Sequence, residues 1–145
     1  MPLIRKVVAY ITFGQRLLVF IHPHNLEAGI QVPSGTIEEG ESAYEAVMRE
    51  AIEETDLVGL QFKSYLGSKI VNMGKYGKDE THDRAFFHLL CSQEPPKRWR
   101  HDEHFRSDSQ SEPITFEFYW VELPGQVPEL AAAQGALLEQ VKIVR

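Results

Sequence analysis

The sequence predicts an α/β (α+β) fold, in which an N-terminal β-hairpin leads to one well-marked helix and then to further strands. The β-type runs Ile4–Phe13 and Arg16–His22 flank Gly14-Gln15, a two-residue hairpin signal. The segment from about Ser42 to Thr55 has apolar residues at helical spacing. Further β-type runs follow it at Leu57–Val71, Arg84–Cys91 and Ile114–Leu123.

Composition narrows the class of protein. The chain has 145 residues, which suits one domain with its own core, so residues 1–145 are expected to form a single domain. The net charge of −6 argues against a nucleic-acid partner but allows a small phosphate ligand whose charge a metal neutralises. The lone Cys91 excludes an internal disulfide, and no apolar run is long enough to span a membrane. A cytoplasmic protein is expected.

The predicted helix has a start signal and an apolar face. Ser42 is the expected N-cap, and Glu45 three residues later completes a capping box. An apolar stripe at i, i+3, i+4 and i+7 is expected to face the core. It consists of Tyr44, Val47, Met48 and Ala51.

The same helix carries three carboxylates on one turn. Glu50, Glu53 and Glu54 stand at i, i+3 and i+4, where like charges repel unless a cation lies between them. Oxygen ligands favour a hard cation such as Mg²⁺ or Mn²⁺. Ala46 is expected among these carboxylates, where its small side chain leaves space for metal and substrate. Arg49, four residues before Glu53, is expected to hold that carboxylate in place.

The remaining segments give weaker predictions. Pro23 to Gly29 is expected to be a loop, and Gln31-Val32 a short strand that ends at Pro33. The Gly-rich segment 72–77 is typical of a turn or mobile loop. Residues Pro95 to Pro113 are polar and charged and show no periodic pattern. A final helix is expected over Glu129–Ile143.

The segment Gly35–Leu57 resembles the Nudix box. The family pattern is glycine, five residues, glutamate, seven residues, Arg-Glu, an apolar residue, any residue, Glu-Glu, any residue, glycine and an apolar residue. The positions in register are Gly35, Glu41, Arg49, Glu50, Ala51, Glu53, Glu54 and Leu57. Asp56 stands where the family has glycine. The resemblance implies an α/β/α sandwich with a mixed central sheet.

The resemblance also implies a chemistry. Nudix enzymes hydrolyse the pyrophosphate linkage of a nucleoside diphosphate joined to another moiety, with Mg²⁺ or Mn²⁺ as cofactor. Nucleoside triphosphates and dinucleoside polyphosphates are favoured over nucleotide sugars, because the chain has no separate N-terminal domain of the kind many ADP-sugar hydrolases of the family use for dimer exchange. The alternative is a non-catalytic nucleotide-binding or regulatory module on the same fold. A small-molecule nucleotide substrate is expected, with a homodimer left open.

Site roles carry over from the family onto matching positions. Glu50 and Glu54 would be direct metal ligands, and Glu53 a ligand or a group that reaches the metal through water. The Gly35 carbonyl would join the metal shell. Arg49 would orient Glu53, with the catalytic base left open between Glu53 and a glutamate from a later loop.

Five further positions stand outside the box. Glu112 and Glu117 lie where many family members supply an extra metal-binding or basic glutamate. Tyr76 lies at a distance from the box where some members stack a tyrosine on a base. Each also fits an ordinary exposed residue. So do Arg98 and Trp99, whose charge and aromatic ring suit phosphates and a base.

Overall fold

The computed structural model describes residues 1–103 and 112–143. Within them the chain forms one α-helix and seven strands joined by short 3₁₀ turns. The strands and the helix are β1 (Leu3–Phe13), β2 (Arg16–Ile21), β3 (Ser34–Thr36), α1 (Ala43–Thr55), β4 (Leu60–Asn72), β5 (Thr81–Cys91), β6 (Arg98–Glu103) and β7 (Ile114–Glu122).

The seven strands form one mixed sheet in the order β4-β5-β1-β2-β7-β6, with β3 paired to β1. The central pair β1–β5 is parallel, and the other pairs are antiparallel. The predicted hairpin is present, because Thr12 pairs with Leu17 and Phe13 with Arg16 across Gly14-Gln15. The α+β class and the mixed sheet are therefore confirmed.

Alternation along β1 divides the core between the two faces of the sheet. Val7, Ala9 and Ile11 belong to the cluster that packs under α1. Val8 and Tyr10 belong to a second cluster on the other face, which the C-terminal strap covers. The strap is residues 130–141. Side chains of even number on β1 therefore lie on the strap face, and those of odd number on the helix face.

Helix α1 begins as predicted. The Ser42 side chain accepts the Glu45 N–H at 3.0 Å, and the Glu45 carboxylate accepts the Ser42 N–H at 3.0 Å. The buried face differs from the prediction, because Ala46 is fully buried while Tyr44 is 52% exposed. The Tyr44 ring packs edge-on against Phe62 at the rim. The prediction that Ala46 leaves space beside the metal is wrong: its methyl group fills the core.

The predicted final helix over Glu129–Ile143 is wrong. The strap has two 3₁₀ turns, Ala131–Ala133 and Leu138–Gln140, and its backbone leaves helical geometry at Ala132 and Ala133, with φ of 50° and 62°. The polar atoms of the strap instead form hydrogen bonds with buried groups elsewhere in the chain. Tyr10 Oη donates to the Gln134 carbonyl, and Gln134 Oε1 accepts the Val32 N–H at 2.8 Å. Long-range bonds thus replace the i→i−4 ladder.

Two smaller expectations also change. Gln31 makes only an isolated bridge to Phe20, and the short strand starts later, at Ser34. Strand β6 occupies part of the segment that was expected to lack a pattern, while residues 104–111 of that segment lie outside the described residues. In the described part of the chain no helix is long and apolar enough to cross a membrane.

Candidate active site

Strand β3 and helix α1 meet at Gly35, where the backbone of the strand touches the carboxylates of the helix. A Cβ at Gly35 would lie 2.0 Å from Cδ of Glu50 and 2.3 Å from its Cγ, so only glycine leaves the Glu50 carboxylate in this position. One residue earlier, the Ser34 N–H donates to Glu54 Oε2 at 3.1 Å. Two predicted metal ligands and the predicted carbonyl position are therefore neighbours.

Their surroundings disfavour the ionised forms of Glu50 and Glu54. Glu54 is 5% exposed; burial raises its pKa well above the usual value, and the charges of Glu50 and Glu103 raise it further. Burial also raises the pKa of Glu50, although Arg49 opposes this effect. Buried carboxylates that destabilise one another in this way are groups that a cation would stabilise.

Glu103 is a fourth carboxylate that the sequence analysis missed. It lies at the end of β6, on the same face as Trp99, whose ring stacks on Phe118 and whose Nε1 donates to the Thr55 carbonyl at 3.0 Å. Burial raises the pKa of Glu103, and the charge of Glu53 raises it further. The alternating pattern of residues 98–103 could have predicted a strand with Glu103 on the same face as Trp99, but the charged residues around it obscured this pattern.

Arg49 binds several carboxylates at once. It makes a two-pronged contact with Glu41, at 2.6 Å from Nε and 2.8 Å from Nη2, and donates to Glu50 at 2.8 Å. Its contact with Glu53 is longer, at 3.4 Å. Arg49 lowers the pKa of Glu41 to about 2. Glu41 thus fixes the guanidinium that lies between the acidic residues, and Glu53 stays 42% exposed and accessible.

The donor set fits a hard cation. Within residues 1–103 and 112–143 no three His, Cys, Asp or Glu side chains are already arranged as a metal site, since Arg49 holds Glu50 and the Ser34 amide holds Glu54. Even so, the convergent groups are carboxylate oxygens and strand backbone, and burial together with the charge of at least one neighbouring carboxylate raises the pKa of each of Glu50, Glu54 and Glu103. Oxygen ligands of this kind suit Mg²⁺ or Mn²⁺.

A cleft of about 650 Å³ lies on the strap face of the sheet, next to this cluster. Ser34 and Lys6 line its near side, and burial lowers the pKa of Lys6 while the charge of Glu50 raises it. Tyr76, which is 43% exposed, lines the cleft further along. The cleft is therefore large enough for a small molecule, and Ser34, whose N–H binds Glu54, joins it to the cluster, although none of the four carboxylates lines it.

The other predicted site residues lie elsewhere. Glu117 follows the buried Phe116 in β7, so its side chain points to the face away from α1, where it pairs with Arg98 and with Arg100. The structure does not bring it to Glu50 or Glu54. Trp99 is packed between α1 and β7 rather than turned to solvent. Glu112 is exposed at the start of the second described range.

Asp56 adopts the conformation that the family glycine would supply. It is the C-cap of α1, with φ 58° and ψ 19°, and its N–H donates to the Ile52 carbonyl at 2.9 Å. The helix therefore ends in the usual left-handed way, with an aspartate instead of a glycine.

Replacing Asp56 with glycine is expected to stabilise the fold by about 0.5–1 kcal/mol, because glycine adopts a positive φ without strain. Asp56→Ala is the matched comparison and is expected to lose a similar amount, since alanine lacks the tolerance of aspartate for this conformation. Urea unfolding measures both. A less stable Asp56→Gly protein would contradict the reading of this C-cap.

Comparison with known proteins agrees with this geometry. The NUDIX domain family model matches residues 2–134. No curated protein sequence is similar enough to count as a match. A MutT NUDIX hydrolase from Burkholderia pseudomallei has 20% identity and a TM-score of 0.61, covering 98% of this chain and 100% of that one.

Two further structures share the fold. A UDP-X diphosphatase has 17% identity and a TM-score of 0.60, with 97% of this chain covered but only 61% of that chain. A bifunctional NMN adenylyltransferase/ADP ribose pyrophosphatase from Francisella tularensis, complexed with AMP and a manganese ion, has 14% identity and a TM-score of 0.54, with 95% and 40% covered. At these identities the likeness is one of fold. The family match extends over most of the chain and includes the helix carboxylates, and the chain therefore belongs to the NUDIX domain family, as a Nudix-type hydrolase.

Proposed function

We propose that this protein hydrolyses the pyrophosphate linkage of a nucleoside diphosphate joined to another moiety, with Mg²⁺ or Mn²⁺. One observation carries the proposal: Glu50 and Glu54 of α1 lie against the backbone of Gly35 and Ser34, where the charges of Glu50 and of Glu103 in β6 raise the pKa of Glu54. The adjoining cleft supplies room for the rest of a nucleotide.

Each residue of the cluster has a distinct task. Glu50, Glu54 and the Gly35 carbonyl would hold the cation, with Glu53 as a further ligand or a contact through water. The cation, when bound, would neutralise charge on the pyrophosphate and lower the pKa of the attacking water. Arg49 and Glu41 fix the position of Glu50. Glu112 and Glu117 are weaker candidates, because the first is exposed and the second is paired on the other face.

Two glutamates are candidates for the base. Glu53 is partly exposed on α1, and Glu103 approaches from β6, the position of a later glutamate in the chain. The two act from different elements, so glutamine variants separate them. The base is the one whose variant loses turnover while Mn²⁺ still binds.

The substrate panel covers the chemical classes that the fold allows. Nucleoside triphosphates, dinucleoside polyphosphates and nucleotide sugars are included, and the UDP-X diphosphatase and ADP ribose pyrophosphatase neighbours support the last class. A homodimer, a cytoplasmic location and a single domain over residues 1–145 stay predictions.

The test is release of phosphate or nucleotide from this panel, with Mg²⁺ and with Mn²⁺. We expect turnover of at least one compound, abolished by EDTA and lowered about 10²- to 10⁴-fold in whichever of Glu53→Gln and Glu103→Gln removes the base. Ligand-induced thermal stabilisation without turnover of any compound would favour the alternative, a non-catalytic nucleotide-binding module.

Glu41→Gln is expected to weaken Mn²⁺ binding about tenfold, because an uncharged partner no longer holds the guanidinium of Arg49 in the position from which it orients Glu50. Calorimetric titration with Mn²⁺ measures the change. Glu39→Gln is the matched control, since Glu39 is exposed on the same loop. Equal affinity in the native and Glu41→Gln proteins would contradict this role for Glu41.

A further inference from the structure

The strap face of the sheet carries a row of cations. Lys6 of β1 and Arg84 of β5 are directly opposite each other in the parallel pair, so their side chains leave the same face about 5 Å apart at the backbone. Both line the 650 Å³ cleft, and Lys78 lines it as well. Like charges on neighbouring strands destabilise a sheet unless something of opposite charge lies near them.

Arg84 is the most buried of the three, at 4% exposure. Its guanidinium donates to the Ala132 carbonyl, to Met73 Sδ at 3.2 Å and to His82 Nδ1 at 3.4 Å, none of which carries a charge. Burial lowers its pKa. The contact with Ala132 fixes the strap, but an uncharged donor would serve that purpose equally well.

Within residues 1–103 and 112–143 no ion pair includes Lys6, Lys78 or Arg84. Lys6 donates only to Thr36 Oγ1, at 3.0 Å. Burial lowers its pKa, and the charges of Lys78 and Arg84 lower it further, against the opposing effects of Glu50 and Glu80.

Among the described residues, carboxylates near the cleft form no ion pair with this row. Glu27 and Glu129 line the cleft but pair with none of its cations, and Glu80 contacts His82 at 2.8 Å. A buried cation without a partner is costly, so the arrangement favours an anion supplied from outside.

We propose that this cleft binds a negatively charged group on the moiety beyond the scissile pyrophosphate, and that the enzyme prefers substrates in which that moiety is anionic. The inference rests on the proposed function. The charge of Glu50 acts on Lys6, which marks the end of the cleft nearest the carboxylates, and Arg84 lies opposite Lys6 on the neighbouring strand. Arg84 and Lys78 are the specificity-determining residues for the distal group.

Matched substrates test the preference. UDP-glucuronate differs from UDP-glucose by one carboxylate, and NADPH differs from NADH by one phosphate, so each pair isolates the charge. We expect the charged member of at least one pair to have a kcat/KM about 10- to 100-fold higher, as charge-assisted hydrogen bonds allow. Arg84→Gln is expected to remove the difference and Arg84→Lys to keep part of it. Equal kcat/KM within both pairs in the native protein would overturn the preference.

A binding measurement separates this inference from the proposed function. Calorimetry with inorganic tripolyphosphate in EDTA avoids the carboxylate site, which without a cation repels anions. The native protein is expected to bind, Arg84→Gln to bind at least about tenfold more weakly, and Arg16→Gln, an equal loss of charge at an exposed position, to bind as the native protein does.

Lys78→Gln gives the same test at an exposed position, where the side chain has no hydrogen bond to the strap among the described residues, so it guards against misfolding of the Arg84 variants. Its affinity is expected to fall about threefold. If no compound is hydrolysed but Arg84 still governs tripolyphosphate binding, the proposed function fails and the anion site stands. If hydrolysis proceeds but tripolyphosphate binding is absent, or is unchanged in Arg84→Gln and in Lys78→Gln, the anion site fails alone.

Discussion

Replacing Glu54 with glutamine is expected to lower kcat/KM by at least about 10³-fold while leaving the fold intact. Glu54 is buried, is held by the Ser34 amide, and has two acidic neighbours, Glu50 and Glu103. A neutral amide at this position would no longer hold a cation for the pyrophosphate, and loss of that stabilisation is worth several kcal/mol of barrier, about 4 for a 10³-fold change. Steady-state kinetics on any compound that the native protein hydrolyses measures the effect.

The same variant has a signature in stability. Burial raises the pKa of Glu54, so the folded protein holds this proton more tightly than the unfolded chain does. The favourable contribution is complete below the unfolded pKa, about 4.3, and is lost as the pH rises through the folded value. In EDTA, Glu54→Gln should therefore lose less stability than the native protein as the pH rises from about 4 toward neutrality.

Mn²⁺ should stabilise the native protein more than it stabilises Glu54→Gln, so the difference in stability between the two proteins should reverse when Mn²⁺ is added. Glu39→Gln, on an exposed loop, should match the native protein in steady-state kinetics and in thermal unfolding measured in EDTA and with Mn²⁺. If Glu54→Gln kept the native kcat/KM, Glu54 would not be part of the cation site, whatever the thermal stability of the variant.

Gly35→Ala is expected to reduce kcat/KM about 10²-fold or more, with a modest loss of stability. The new methyl group would lie 2.0 Å from Cδ of Glu50 and 2.4 Å from its Oε1, so the carboxylate must move. A displacement of about 1 Å in a catalytic group can cost 10²-fold in rate. The strand itself need not unfold, because the group in the way is a side chain, and overpacking costs about 1–3 kcal/mol.

A control and a rescue sharpen this test. Gly125→Ala adds the same methyl group where no atom lies within 4 Å, so it should leave activity and stability unchanged. In the Gly35→Ala background, Glu50→Asp removes one methylene and should cost less activity than it does alone, which is the coupling expected of residues in contact. Additive losses would mean that Gly35 acts through something other than Glu50.

Local sequence was enough for the parts of the fold that depend on near neighbours in the chain. The capping box needs only Ser42 and Glu45, and the hairpin only its two-residue turn, so both are present as predicted. The spacing of Glu50, Glu53 and Glu54 places them on one helix turn in any surroundings. These features involve hydrogen bonds or contacts between residues at most five apart in the chain.

Tertiary structure decided which of those residues are buried and which other residues they contact. Ala46 is in the core and Tyr44 at the rim because the sheet packs close to the helix there. Glu103 joins the cluster because β6 pairs with β7 and runs past the end of α1, whereas strand alternation turns Glu117 to the other face.

The C-terminal strap shows the same division. Its sequence is compatible with a helix, but buried groups of the sheet more than 40 residues away bind its carbonyls: Tyr10 contacts Gln134, and Arg84 contacts Ala132. The sequence by itself therefore determined helix α1 and its carboxylates, because their geometry is set within one turn. Only the tertiary structure decided the fourth carboxylate, the strap and the cationic cleft, because each depends on strand pairs that join residues distant in the chain.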